Sequence, residues 1–539
     1  MSVVKLPATI TVSADQIRQT AAQLGIQVPA GDIDAYRVLL SGLDTCVDLL
    51  RDEEDYLPRP DLHQFPRSNI HRPTVNEFNA WAYKVEISSS VPNHHDGILA
   101  GLCVAVKDNV NIAGVPSLLG TDIISEPYIP EYDASIVTRL LQAGAKIIGK
   151  SACENMSMSP TSFTNAQANI LHPLAPGYSI GGSSSGSAAL LCAGIVPIAI
   201  GGDQGGSIRL PASYCGIVGL KPTYGLVPYT GIAPLSALVD HTGPMTVTVL
   251  DNAKVLSAIA GKDGLDERQM DAPALGVDYH TPLLAYADDP KAAVKGLRIG
   301  ILKESLEVVG LDPRVALKVK VAAEIFRKLG ADVVEVSIPM HHLGPAIWTV
   351  ANRQGISEQA LRGQNPVRHG VHDAALTAKL AKWDSEMFER AQFNNPAVTA
   401  SFLGGQYLKE TYPGIADKAV NLSRKLRDAY ESHLGPGKDL DLLLAPCTPT
   451  ISNYTSKPSD SLMDKMGKAV GITLNTCPFN VSGHPAISIP VGMLNVIERP
   501  EDAHIRLPIG MQIVGGMWQE SKIYRAAFAF EKSNDWRSL

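Results

Sequence analysis

The chain lacks the cysteine pattern of a disulfide-stapled or zinc-binding protein. Its seven cysteines are an odd number, none belongs to a Cys-x-x-Cys pair, and several stand inside apolar runs such as Leu-Cys-Val-Ala-Val. Scattered cysteines in apolar runs are typical of buried thiols in a reducing compartment. We therefore expect seven free thiols, at Cys46, Cys103, Cys153, Cys192, Cys215, Cys447 and Cys477.

The chain also lacks an excess of positive charge. Its 539 residues include 47 Lys and Arg against 54 Asp and Glu, which gives a formal net charge of −7. Proteins that bind nucleic acids or anionic membranes usually present a basic surface. The charge balance therefore disfavours both as the main partner.

No apolar run is long enough to cross a membrane. The longest extends from Ala188 to Ile200 and contains Pro197, whereas a spanning helix needs about 20 apolar residues. The first residues, MSVVKLPATITVSADQ, do not show the basic and then apolar build of a secretory signal. We expect a protein of the cytoplasm with no membrane partner.

The first part of the chain, residues 1–70, predicts a small helical unit. Ser13 and Gln16 form a capping-box pattern before one helix, and a second apolar stripe runs from about Asp32 to Leu50. A proline-rich stretch follows these helices. Such a unit packs on the main body or pairs two subunits, and we favour a homodimer through it.

The remainder, residues 71–539, predicts one α/β domain. Short apolar runs such as KIIGK alternate with helical segments such as SIVTRLLQAGA. This alternation predicts a mixed central β-sheet covered by helices on both faces. Other predicted strands are ILAGLCVAV, GLRIGIL and ADVVEVSIP; a helix is predicted over 315–329, and 351–440 is mostly helical.

Two glycine–serine blocks flank the longest apolar run. In the second block Ser207 follows the strand-like IVPIAIGG, so a tight turn can aim the backbone amides of Gln204, Gly205, Gly206 and Ser207 at one point. Glycine permits such close backbone approach, and converging amides form an oxyanion hole. A plain glycine turn explains the same residues.

The first block, GGSSSGS over 181–187, has several interpretations. It suits a flexible linker, or an anion cradle at the start of the following helix. It also matches Gly-x-Ser-x-Gly with Ser184 at the centre, the pattern of a nucleophile elbow. A phosphate-binding P-loop is excluded because no Gly-Lys-Ser/Thr follows.

A base is needed to activate a serine. His241 and His484 form no recognisable triad with a nucleophile motif, whereas Lys107 ends the apolar run Gly101–Val106. Burial disfavours a charged lysine and makes a neutral amine available. A lysine at a strand end that reaches solvent is the alternative.

Taken together, VAVKDNV, GGSSSGSAA and GGDQGGSIRLPASYCGIVGLKPT resemble the amidase signature family. Lys107 precedes Ser183 by 76 residues and Ser183 precedes Ser207 by 24, as in that family. The resemblance implies that Ser207 is the nucleophile, that Ser183 follows a cis peptide bond and that Lys107 is the base. It also implies an oxyanion hole at Gln204, Gly205, Gly206 and Ser207, support from Ser184, Asp203 and Arg209, and substrate contacts from Ser157 and Ser159.

The implied activity is hydrolysis of small-molecule amides to an acid and ammonia or an amine. The resemblance further implies an acyl-enzyme and a reaction without a metal or an organic cofactor. The GGDQGGS form and the helical extension are similar to stand-alone broad-range amidases and urethanases, which adds carbamates as substrates. The alternatives are a glutaminase subunit of a glutamyl-tRNA amidotransferase and an inactive amidase-like binding protein.

Overall fold

A computed structural model of the chain describes residues 4–91, 97–364, 370–457 and 459–539. It consists of two compact units, Met1–Pro58 and Arg59–Leu539. Residues 67–71 form a strand of the second unit. The division predicted at residue 70 stays a prediction.

The first unit contains two helices, α1 (Ala14–Gln23) and α2 (Ile33–Arg51). The Ser13 hydroxyl accepts a hydrogen bond from the Gln16 amide at 3.1 Å, and the Gln16 side chain accepts one from the Ser13 amide at 2.7 Å. This reciprocal pair satisfies two amides that the first helical turn leaves free. Both predicted helices are confirmed.

The second unit is built on a twelve-stranded mixed sheet with the strand order β1-β2-β4-β3-β5-β7-β6-β11-β12-β10-β8-β9. The pairs β3–β4, β3–β5, β8–β9 and β8–β10 are parallel, and the other adjacent pairs are antiparallel. The strands are β1 (Arg67–His71), β2 (Trp81–Ile87), β3 (Cys103–Lys107), β4 (Lys146–Ser151), β5 (Ile198–Gly202), β6 (Val218–Lys221), β7 (Thr242–Thr246), β8 (Arg298–Leu302), β9 (Asp332–Val336), β10 (Leu442–Pro446), β11 (Ala486–Asn495) and β12 (Arg506–Gly515).

Helices of very different lengths surround this sheet. They include the predicted helix over 315–329, which is α9, and the predicted helical region over 351–440. The helices are α3 (Ser135–Gln142), α4 (Ser185–Cys192), α5 (Arg209–Cys215), α6 (Val249–Ile259), α7 (Thr281–Leu284), α8 (Pro290–Val294), α9 (Pro313–Leu329), α10 (Gly344–Gly355), α11 (Ala374–Leu380), α12 (Ser385–Asn394), α13 (Pro396–Thr411), α14 (Ile415–Glu431), α15 (Leu462–Gly467), α16 (Cys477–Val481) and α17 (Glu520–Ser533).

Alternation along β3 places apolar cores on both faces of the sheet. Val104 and Val106 belong to one buried cluster together with Leu140 of α3. Ala105 belongs to a second cluster together with Leu190 of α4. Because successive side chains of a strand point to opposite faces, α3 and α4 cover opposite sides. The predicted mixed sheet with helices on both faces is confirmed.

The predicted strand ILAGLCVAV begins later than expected. Residues 98–101 form a turn, in which the Leu102 amide donates to the Leu99 carbonyl at 3.0 Å, and the strand begins at Cys103. Gly101 has φ +75°, a left-handed conformation that glycine adopts readily and that ends the extended backbone. Apolar composition alone does not reveal this turn.

The parallel strands β4, β3 and β5 lie side by side, so their carboxyl ends meet at one edge of the sheet. Lys107 is the last residue of β3 and pairs with Ser151 of β4. The segment before α4 and the turn after β5 lie at the same edge. In α/β sheets this edge is the usual place for a ligand site.

Three further features concern the described residues as a whole. All seven cysteines lie among them and are free thiols. Within the same part of the chain no helix combines the length and apolar character needed to cross a membrane. No group of three or more His, Cys, Asp or Glu in the described ranges could hold a metal ion.

Candidate active site

The site begins with Lys107, whose side chain is completely buried at the end of β3. Its Nζ donates a hydrogen bond to the Ser183 hydroxyl at 2.8 Å. The peptide bond between Gly182 and Ser183 is cis. The alternative in which Lys107 reaches solvent is therefore wrong, and the structure brings Lys107 and Ser183 together.

Burial lowers the pKa of Lys107 from 10.5 to about 8. The shift arises because desolvation disfavours the charged amine. Cys153, Asp203, Glu154 and Asp240 oppose it electrostatically without reversing it. With this pKa about a tenth of the molecules carry a neutral Lys107 at pH 7, and the fraction grows as the pH rises.

The Ser184 side chain bonds to backbone atoms and does not line the cavity that Ser207 borders. Its hydroxyl donates to the Gly202 carbonyl at 3.2 Å and accepts from the Gly202 amide at the same distance. These bonds join the segment before α4 to the end of β5. A nucleophile elbow with Ser184 at its tip is not favoured, because the hydroxyl is fully buried and already bonded.

The remaining interpretations of the first block also fail on geometry. The four serines between residues 183 and 187 are fully buried. Gly186, which lies among them, is packed closely against backbone atoms. The block is therefore not a flexible linker. The amides of Ser184 and Gly186 donate to the carbonyls of Ser207 and Ala152, at 3.3 and 2.9 Å. These two amides are not available to a bound anion.

Gly182 is required by close packing. A Cβ atom at this position would lie 2.5 Å from the Thr161 carbonyl oxygen and 2.6 Å from that of Ser159. Both contacts are with backbone atoms, which could make room for a side chain only if the main chain shifted. The glycine therefore allows the segment that carries Ser183 to approach the loop of Ser159.

The turn after β5 is held by a buried ion pair. Arg209 contacts both carboxylate oxygens of Asp203, with Nε to Oδ2 and Nη2 to Oδ1 at 3.0 Å each. Asn480 bonds to both side chains, and Gln512 accepts from Arg209. Burial alone would raise the pKa of Asp203, but the Arg209 guanidinium and these hydrogen bonds hold it well below its usual range.

The four predicted oxyanion-hole amides differ in their bonding. The Gly206 amide donates to Asp203 Oδ1 at 2.8 Å. The amides of Gln204, Gly205 and Ser207 have no acceptor among the described residues. Trp348 Nε1 donates to the Gln204 carbonyl at 2.7 Å, and this bond fixes the peptide plane that carries the Gly205 amide.

Five of the predicted residues line one cavity of about 270 Å³: Ser157, Ser159, Gln204, Gly205 and Ser207. Lys107 and Ser183 do not line it and lie in the interior. Ser207 is only partly buried, and its carbonyl accepts the Ser184 amide. The structure thus joins the buried Lys107 amine to the buried Ser183 hydroxyl, and Ser207 borders the open cavity.

The loop with Ser157 and Ser159 forms one wall of this cavity. Ser157 has a left-handed backbone with φ +57°, and its hydroxyl contacts Cys153 Sγ at 3.8 Å. The hydroxyls of Ser159 and Thr161 are 2.7 Å apart. Non-glycine residues in the left-handed region are uncommon and occur often at functional sites.

Sequence reasoning missed three groups that shape the site. Glu154 accepts from the Ser185 hydroxyl at 2.6 Å and from Thr164, and its burial raises its pKa to about 7. Trp348 and Asn480 come from distant parts of the chain. Only Glu154 had a local signal, since it stands three residues before Ser157 in ENMSMSP.

Comparison with protein families matches residues 59–524 to the family described as Amidase. One relative, an enantioselective amidase of Rhodococcus rhodochrous, is 36% identical over 461 residues, which cover 85% of this chain and 83% of the relative. Another is a component of the glutamyl-tRNA(Gln) amidotransferase of Synechococcus sp. (strain RCC307), 35% identical over 81% of this chain and 84% of its own length.

Solved structures show the same fold. The peptide amidase of Stenotrophomonas maltophilia superposes with a TM-score of 0.64 at 27% identity, over 81% of this chain and 83% of that chain. A bacterial aryl acylamidase superposes with a TM-score of 0.66 at 23% identity, over 81% of this chain and 83% of that chain. The second likeness concerns the fold alone.

Proposed function

The chain belongs to the amidase signature family and is an amidase, and from this premise we propose that it hydrolyses small carboxylic amides to an acid and ammonia or an amine. One observation carries the proposal. A desolvated Lys107 contacts the Ser183 hydroxyl at 2.8 Å, beside a cavity that Ser207 borders. This contact supports the first transfer of a proton relay toward a nucleophilic Ser207.

In the proposed first step the Ser207 oxygen attacks the amide carbonyl. Ser183 takes the proton from Ser207 and passes its own proton to neutral Lys107. The relay then reverses, and Ser183 delivers a proton to the departing nitrogen, so ammonia or an amine leaves. Water attacks the acyl-enzyme in the second step, with the same groups accepting and returning a proton.

The negative charge that develops on the carbonyl oxygen needs donors. We assign this role to the amides of Gln204, Gly205 and Ser207, which have no acceptor among the described residues. One well-placed donor contributes about 3 to 4 kcal/mol to transition-state stabilisation. The Gly206 amide holds the turn through Asp203 instead, and Ser157 and Ser159 are proposed to contact the carbonyl and the leaving group.

Carbamates belong to the proposed substrate range. A carbamate presents the same carbonyl to Ser207 and differs in the acyl group that it leaves on the enzyme, which loses carbon dioxide after hydrolysis. The cavity of about 270 Å³ has room for compounds of this size. Ethyl carbamate is therefore a suitable member of a test panel.

A panel of acetamide, benzamide, an aryl acylamide and ethyl carbamate tests the proposal. We expect the isolated protein to release ammonia or amine from at least one amide, with kcat/KM ranking the substrates. Ser207→Ala and Lys107→Ala should abolish hydrolysis with an unchanged circular dichroism spectrum. An inactive wild-type protein, or an active Ser207→Ala variant, would contradict the proposal.

A second candidate is a glutaminase subunit of a glutamyl-tRNA amidotransferase. Its support is the similarity to several proteins named as components of glutamyl-tRNA(Gln) amidotransferases. Such a component is expected to need partner subunits and to act on glutamine. Turnover of simple amides by the isolated chain favours the first function, whereas activity only with glutamine and added partners favours the second. Absence of any turnover, together with specific ligand binding, would indicate the inactive binding protein.

A further inference from the structure

Arg353 is the charged side chain of the cavity that Ser207 borders. The other described lining residues are apolar or neutral, among them Leu210, Trp348 and Val470. A single cation in a neutral cavity creates a local preference for negative charge.

No described carboxylate lies within ion-pair distance of Arg353. Its Nη1 donates to the Ser401 hydroxyl at 2.6 Å, and Ser401 in turn donates to the Ala397 carbonyl. Desolvation lowers the pKa of Arg353, and among the described residues no acidic group opposes that shift. A guanidinium carries five N–H donors, and charges removed from water are normally paired.

The surroundings fix the Arg353 side chain. A Cβ atom at Gly404 of α13 would lie 3.0 Å from Arg353 Cδ and 3.2 Å from Cγ, so glycine leaves room for the arginine stem. Ser401, one turn earlier on α13, positions the guanidinium. The side chain is therefore held against α13 and does not move freely in solvent.

Helix α10 connects Arg353 with the turn of the predicted nucleophile. Trp348, on the same helix, is bonded to the Gln204 carbonyl in the turn of Ser207. Arg353 lies five residues further along the helix, which is about 7.5 Å at 1.5 Å per residue. Trp348, Arg353 and Ser207 line the same cavity, so one ligand can meet Ser207 and Arg353 at different points.

We propose that Arg353 binds a carboxylate on the substrate, so that the preferred substrates are amides that also carry a carboxylate. The inference rests on the proposed amide hydrolysis and narrows its substrate class. Arginine suits this role because its planar fork matches a carboxylate with two parallel hydrogen bonds. Because Arg353 is partly buried, such a pair is screened less by water than one on the open surface.

The test compares amides that share a shape and differ in charge. Succinamate and succinamide place the charge on the acyl side, whereas N-acetylglycine and N-acetylglycinamide place it on the leaving-group side. We expect wild-type kcat/KM to favour the charged member of at least one pair about tenfold or more. The pair that shows the preference identifies the side of the scissile bond that faces Arg353.

The variant Arg353→Gln should abolish this preference. Its kcat/KM for the charged member should fall about tenfold, while that for the neutral member changes less than about threefold. Arg353→Lys, which retains the charge and loses the fork, should give an intermediate result. Lys409→Gln is the matched control, because it removes one positive charge from the exposed side of α13 and should leave the preference unchanged.

Two results would overturn the inference. One is a wild-type protein that treats charged and neutral members alike; the other is an equal loss for both members in Arg353→Gln, which indicates a structural role. Calorimetry on Ser207→Ala decides independently of turnover: succinamate or N-acetylglycine should bind at least tenfold more tightly than its neutral counterpart. If no amide is hydrolysed but this binding difference disappears in Ser207→Ala/Arg353→Gln, the proposed function fails and the carboxylate site stands.

Discussion

Two fully buried cations, Lys107 and Arg209, show how partners decide the chemistry of a side chain. Arg209 contacts both carboxylate oxygens of Asp203, so its charge is balanced and it organises the turn. Lys107 contacts a hydroxyl, which balances no charge, and desolvation lowers its pKa to about 8. The first arrangement suits a structural role, and the second suits a base.

The lowered pKa of Lys107 predicts the pH dependence of activity. Because only the neutral amine accepts a proton, kcat/KM for a neutral amide should rise about tenfold per pH unit below pH 8 and level off above it. The measurement is a kcat/KM profile for benzamide from about pH 6 to about pH 10, with the fold checked by circular dichroism. A profile that is flat across this range, or that falls as the pH rises through 8, would contradict the role of Lys107.

The position of Lys107 could be predicted from the sequence, but its pKa could not. An apolar run that ends in lysine indicates a strand that carries the residue inward. The size of the shift depends first on desolvation and then on the opposing charges of Cys153, Asp203, Glu154 and Asp240, which come from three other segments of the chain. No local sequence pattern predicts the distances between these groups and the Lys107 amine.

At the scale of elements, the site lies where the parallel strands β4, β3 and β5 end, because Ser183 follows β4, Lys107 ends β3 and Ser207 follows β5. The strands β3 and β5 end at the same edge of the sheet, where Lys107 and the Asp203 turn lie. Ser184 ties the segment before α4 to Gly202 at the end of β5. The relative position of the two serine segments is therefore set by sheet pairing and by these backbone bonds.

The buried Asp203–Arg209 pair predicts a large loss of stability when one partner is removed. Arg209→Met leaves a buried carboxylate without its partner and should lower the free energy of unfolding by about 3 to 5 kcal/mol. Arg298→Met is the matched control, because its pair with Asp332 is exposed and should cost less than about 1 kcal/mol. Urea unfolding at pH 7 measures both.

The sign of the pH dependence adds a second check on Arg209→Met. In the wild-type protein the pKa of Asp203 is depressed, so the pair stabilises the fold above the unfolded pKa of Asp and loses effect as the pH falls. In Arg209→Met, burial raises the pKa of Asp203. Protonation of its carboxyl group then removes the free-energy cost of a buried, unpaired charge. The difference in free energy of unfolding between the wild-type protein and Arg209→Met should therefore become smaller as the pH falls toward 4. A difference that becomes larger would contradict this explanation.

Local signals predicted elements well and distant contacts poorly. The Ser13 capping box and the strand over 146–151 follow from neighbouring residues, and the structure has both. The turn at Gly101 was hidden in an apolar run. Trp348 and Asn480 contact the site although they lie far away in the sequence. Only the tertiary packing of the helices that carry them places them there.

At the scale of the whole molecule, the first unit presents exposed apolar side chains on α2. Tyr36, Leu43, Val47 and Leu50 are 42%, 46%, 51% and 71% exposed. Contiguous exposed apolar residues often mark an interface. A homodimer through the N-terminal helices stays a prediction, and this face is the one that it would use.

The variant Leu43→Glu/Val47→Glu tests the predicted dimer, because it places two charges one turn apart on that face. We expect light scattering after gel filtration to give the mass of a dimer for the wild-type protein and of a monomer for the variant. Leu317→Glu, which changes an exposed leucine of α9, should remain a dimer. A monomeric wild-type protein, or a dimeric double variant, would contradict this interface.

The most direct test of the relay from Lys107 through Ser183 to Ser207 is covalent trapping with a fluorophosphonate. Labelled protein is digested and the modified residue is identified by mass spectrometry, for the wild-type protein and for Lys107→Ala. The relay predicts modification at Ser207 in the wild-type protein and a labelling rate at least about 100-fold lower in the variant. Modification of a different serine, or labelling of Lys107→Ala at the wild-type rate, would contradict it.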